Sequence, residues 1–91
     1  MTDTTSQTPK ITLKRDAYYH EMFGEYASRY NVIADGEIIG WVTKIDDDKF
    51  WSVRYNDGFG ATNLCAGYET TRKWAVHKVC VNAIGYGGYL G

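Results

Sequence analysis

Proline is nearly missing from this chain, cysteine is scarce, no long apolar run occurs and neither sign of charge dominates: one Pro, two Cys and a net charge of −1 over 91 residues. Each shortage excludes something. A single proline beside 44% hydrophobic and 15% aromatic residues excludes a disordered chain, which lacks the apolar area to offset its conformational entropy. Two cysteines, Cys65 and Cys80, cannot build the multi-bridge framework of a small secreted domain. They form no C-x-x-C pair. His77, three residues before Cys80, needs Cys65 and a remote ligand such as His20 to complete a zinc set. The expectation is no metal and two reduced thiols, with a disulfide only in an oxidising environment.

The missing apolar run excludes a membrane-spanning helix, which needs about 20 apolar residues. The polar start MTDTTSQTPK has no hydrophobic core of a signal peptide. Both predict a cytoplasmic protein with no membrane partner. The near-zero charge excludes a globally basic coat for nucleic acid.

Catalytic constellations are missing too. Asp46-Asp47-Asp48 lacks the spacing of a calcium loop. Gly58-Phe59-Gly60 lacks the Gly-Lys-Ser/Thr ending of a phosphate-binding loop, and no G-x-S-x-G elbow occurs. Cys80 falls on an apolar helical stripe, which suits a small core residue, and Cys65 has no recognisable partner to activate it. The reading is a non-enzyme, with no cofactor and no catalytic residue.

The residues that are present describe one small domain. Asp35-Gly36 is a strong hairpin signal, because a type I′ turn needs positive φ at both central positions. Straight pairing outward from it sets Val32 opposite Ile39, Tyr30 opposite Trp41, Ser28 opposite Thr43 and Tyr26 opposite Ile45 on one face. The other face receives Ile33 with Ile38, Asn31 with Gly40 and Arg29 with Val42. A further alternating run, 50–55, adds Trp51, Val53 and Tyr55 to the first face. Residues 61–66 are either a short strand or irregular chain. Residues 11–14 alternate like a strand, whereas 16–23 suit a strand or a helical turn equally.

From Gly67 the pattern turns helical. Thr70 or Thr71 caps the start, Ala75, Val76, Val79, Cys80 and Ala83 form one stripe, and Gly85 ends it. The stripe is slim, so it suits close approach to a face crowded with Tyr30, Trp41, Trp51 and Tyr55. The fold class is therefore α+β: a three- to four-stranded antiparallel sheet packed against one C-terminal helix. The division expected is a flexible leader over 1–9, a domain over 10–85 and a flexible tail over 86–91.

Charge points to two contact surfaces. The sheet face away from the helix carries Ile33, Ile38 and Val42 between Arg29 and Arg54, a composition suited to protein binding, unless the N-terminal segment covers it. The second surface is the helix start. Arg72 and Lys73 stand in its first turn, where partial positive charge disfavours cations. A bound phosphate would reverse that penalty, which makes Arg72, Lys73 and Lys78 an alternative nucleic-acid site, similar in placement to the last helix of a double-stranded RNA-binding domain. Pairing through a sheet edge into a homo-oligomer is a third reading.

The combination Asp35-Gly36-Glu37, Gly40-Trp41-Val42, Phe50-Trp51, Gly67-Tyr68-Glu69-Thr70-Thr71-Arg72 and Ala75-Val76 resembles small β-meander-plus-helix proteins of tailed phages and prophages. The resemblance covers residues 25–84 and rests on fold-forming motifs. It implies a protein of the host cytoplasm that binds and inhibits or modulates a host or defence protein, as anti-CRISPR proteins do, or a structural phage component. It assigns no functional residue.

Overall fold

The computed structural model describes residues 8–16, 27–45 and 49–90. Strands β1 (Ile11–Arg15), β2 (Ala27–Ala34), β3 (Glu37–Ile45), β4 (Trp51–Tyr55) and β5 (Leu64–Glu69) form one antiparallel sheet in the order β1-β2-β3-β4-β5, and helix α1 (Arg72–Ile84) packs on one face. The α+β class holds, but the sheet has five strands rather than three to four. The short segments at 11–15 and 64–69 both find a partner, as its two edges. The ambiguous stretch 17–24, Tyr26 and the acidic run 46–48 lie outside the described residues.

Asp35 and Gly36 adopt φ of 50° and 90°, the backbone that a type I′ turn requires. The turn also holds β1. Asp35 N–H donates to the Lys10 carbonyl at 3.0 Å, and Lys10 N–H donates to Asp35 Oδ1 at 2.9 Å.

Pairing departs from the straight register within two residues of the turn. Ile33 lies opposite Ile38, but Val32 lies opposite Gly40, so Ile39 is an extra residue in β3. One inserted residue moves every later side chain of the strand to the other face. Gly40 and Val42 thereby come under the helix, while Trp41, paired with Asn31, turns away from it. The expected stack of Tyr30 with Trp41 beneath α1 is thus corrected: Tyr30, Trp51 and Tyr55 border the core, and Trp41 does not.

The reason is steric. The sheet contributes Val32, Ala34, Ile39, Val42 and Val53 to the core, and α1 contributes Ala75, Val76, Val79 and Cys80. The predicted slim stripe is the buried one. Val79 sits directly over Gly40: a Cβ there would overlap the Arg54 carbonyl oxygen and come within 2.7 Å of Val79 Cγ1 and 3.0 Å of Tyr55 Cα. A side chain at that point would lift the helix off the sheet.

The helix ends match their signals. Thr71 Oγ1 accepts from Trp74 N–H at 3.2 Å. Gly85, at φ 67°, donates to the Val81 carbonyl, the 5→1 bond of an αL cap, and Tyr86 N–H donates to the Cys80 carbonyl. Beyond the helix, Tyr86 and Tyr89 pack against the core.

Two measurements check this packing. Gly40→Ala is expected to cost about 1–3 kcal/mol through overpacking, read as a lower urea midpoint. Gly87→Ala is its control, because a Cβ there meets nothing within 4 Å; equal midpoints for the two variants would refute the seat at Gly40. For the thiols, exposed Cys65 is expected to react with Ellman's reagent in the native protein, and buried Cys80 only after unfolding. Burial pushes the Cys80 thiol up from 9.0 to about 11. The folded chain therefore holds that proton more tightly than the unfolded chain does. Stability is full below the unfolded value and falls as pH rises through the folded one, and Cys80→Ala is expected to flatten that alkaline slope in urea melts.

Candidate functional site on the open sheet face

The strand registers decide which side chains share the face away from α1. One cross-strand row reads Lys14, Asn31, Trp41, Arg54 and Cys65. Towards the helix start a second row reads Arg29, Thr43, Ser52 and Tyr68; towards the Asp35-Gly36 turn lie Thr12, Ile33 and Ile38. The face is thus polar and basic across its middle, apolar at one end and aromatic at the β5 edge.

Trp41 is its centre. The Arg29 guanidinium carbon stands 4.8 Å from the Trp41 ring centroid, within cation–π range. Arg29 Nε is also 3.6 Å from Asp16 Oδ2, and both side chains are largely covered. On the other flank Arg54, directly across from Trp41, donates from Nη1 to the Asn63 carbonyl at 3.2 Å. Both guanidinium groups are therefore oriented by the fold. Ile38 is 51% exposed and Tyr68 65% exposed.

Of the residues expected at a partner surface, Arg29, Ile33, Ile38 and Arg54 share this face. Val42 does not: it is fully buried beneath α1, because the extra residue at Ile39 inverts the strand beyond it. Trp41 occupies the place expected for Val42. Tyr68 was also missed. A second irregularity sets Val53 against both Ala66 and Gly67, with Gly67 at φ 91°, and this rotates Tyr68 outward. In each strand a lone glycine is the available signal, since glycine inside a strand marks a bulge or a close backbone approach.

The alternative surface at the helix start is largely occupied by the protein itself. The Arg72 guanidinium carbon lies 4.7 Å from the Tyr30 ring centroid. A cation–π contact at an exposed site contributes about 0.5–1 kcal/mol, comparable to the roughly 0.3–1 kcal/mol that a cation costs at a helix N-terminus. Packing against Tyr30 thus accounts for one misplaced cation without a phosphate. Lys78 Nζ is 3.1 Å from Glu69 Oε2. Lys73 is exposed.

The cysteines do not meet. Cys65 lies opposite Arg54 on the open face and Cys80 lies in the core on the far side of the sheet. His77 packs edge-on against Trp74, ring centroids 5.5 Å apart. Among the described residues no group of three or more His, Cys, Asp or Glu comes together to hold a metal ion. No helix among them is long and apolar enough to cross a membrane.

No family model matches the chain, and neither a curated protein nor a solved structure does.

Proposed function

We propose that this chain is a non-enzymatic binding protein of the phage type, which holds and inhibits or modulates a host or defence protein through the sheet face opposite α1. One observation carries this reading: Trp41 is turned away from the core, with Arg29 over its ring and Arg54 as its cross-strand neighbour, while Ile38 and Tyr68 stand exposed on the same face. Tryptophan, tyrosine and arginine supply most of the energy at protein interfaces. Pre-oriented guanidinium groups lose less freedom on docking than free ones.

The nucleic-acid reading ranks below it, because Arg72 and Lys78 already have partners within the chain. Assembly through a sheet edge remains the structural alternative. The experiment compares capture of one host protein by the wild type, by Tyr68→Ala with Arg54→Glu, and by Arg72→Glu with Lys73→Glu. The open-face variant is expected to weaken capture by about tenfold or more, and the helix-start variant is expected to leave it intact. Capture untouched by the open-face changes would overturn the assignment. Salt-sensitive binding of mixed RNA and DNA that disappears with Arg72→Glu and Lys73→Glu would transfer it to the helix start. Concentration-dependent growth in light scattering would favour the homo-oligomer.

A further inference from the structure

The loop from Asn56 to Asn63, between β4 and β5, displays an aromatic ring that the fold itself does not use. Phe59 is 93% exposed. The loop around it is nonetheless ordered by its own hydrogen bonds. Asp57 Oδ1 accepts from Phe59 N–H at 2.7 Å and from Ala61 N–H at 3.1 Å. Asp57 N–H donates to the Ala61 carbonyl at 3.1 Å. Asn56 Oδ1 accepts from Asn63 N–H at 3.2 Å, and Asn56 Nδ2 reaches the Ile38 carbonyl at 3.5 Å. Gly58 and Gly60, at φ 81° and 106°, flank the ring, and a Cβ at either meets nothing within 4 Å. The backbone on both sides of Phe59 is therefore bare and approachable.

An exposed aromatic on an ordered loop carries a large apolar area and little freedom left to lose, which is the profile of an interface anchor. Its surroundings identify the occupant. The loop leaves β4 beside Ile38 and Ile39, so it projects from the same end of the sheet as the Asp35-Gly36 turn. Asp35, Glu37 and Asp57 gather at that end, with Lys10 beside Asp35. This acidic fringe repels nucleic acid and anionic bilayers and attracts cationic side chains. Exposed Ile38 joins the loop to the open sheet face.

We propose that Phe59 is an anchor that inserts into an apolar pocket of a protein partner, a pocket rimmed by basic side chains that meet Asp35, Glu37 and Asp57. The proposal rests on reading the chain as a protein-binding module and adds a second contact, of opposite charge, to the open face. The anchor fixes position and the carboxylates select a basic rim.

The test places the photo-crosslinking analogue p-benzoylphenylalanine at position 59 of the full chain in cells that contain it naturally. Irradiation is expected to give one protein adduct. Excess wild-type protein is expected to abolish it and excess Phe59→Ser protein to leave it, once circular dichroism shows that variant to be folded. Adding Glu37→Lys to the crosslinking chain is expected to cause loss of the adduct. No adduct, equal competition by Phe59→Ser, or an adduct indifferent to Glu37→Lys would each overturn the anchor. So would flotation with phosphatidylcholine or phosphatidylserine vesicles that depends on Phe59, which would make the loop a bilayer contact. The two surfaces separate through a second competitor, Tyr68→Ala with Arg54→Glu. If it competes as well as wild type, the open-face reading fails and the anchor stands. If Phe59→Ser alone competes as well as wild type, the anchor fails and the open face stands.

Discussion

The contact of Val79 with the bare backbone at Gly40 is the constraint from which the arrangement of this protein follows. A helix whose inner stripe is Ala75, Val76, Val79 and Cys80 gains most by lying close to the sheet, where its small side chains meet Val32, Val42 and Val53. Close approach demands one point without a side chain, and Gly40 supplies it only if it faces inward. Straight pairing from the Asp35-Gly36 turn points Gly40 outward. The extra residue at Ile39 resolves that conflict. A local irregularity in the hydrogen-bond ladder is thereby exchanged for a buried layer of valines beneath the helix, a favourable exchange because interiors gain from close packing.

The same inversion creates the surface. Turning Gly40 and Val42 inward turns Trp41 outward, into the gap between Arg29 and Arg54. Core and open face are thus two outcomes of one register choice. At the other end of the helix, Arg72 is held by the Tyr30 ring. A side chain that is unfavourable beside the helix terminus is there favourable by reaching across to the edge of the core, so its placement is a packing feature.

Much of this was legible from local chemistry. The Asp35-Gly36 turn, the cap at Thr71, the stop at Gly85 and the buried helical stripe each follow from interactions within a few residues, where backbone preference and periodicity have strong effects. The inversion of β3 was not legible by counting, because period-two alternation carries no mark of an inserted residue; only Gly40 among apolar neighbours hints at it. Trp41 and Val42 were exchanged for that reason, and with them one residue of the open face. Tyr68 escaped through the parallel irregularity beside Gly67. The glycines around Tyr86 and Tyr89 carry no periodicity, so the contact of those rings with the core is not readable from the sequence. Phe59 lay within a Gly-Phe-Gly stretch considered only as a failed phosphate loop; its exposure depends on Asp57 folding the loop back on itself.

The bulge at Ile39 also has an evolutionary consequence. Because it separates the side chains beneath the helix from those on the far side of the sheet, Trp41, Thr43, Ser52, Arg54 and Tyr68 can be replaced with little disturbance to the valine layer. The outer positions and the positions of the core are then free to vary independently of one another. A sequence so divided can drift far at its outer positions while keeping the same skeleton.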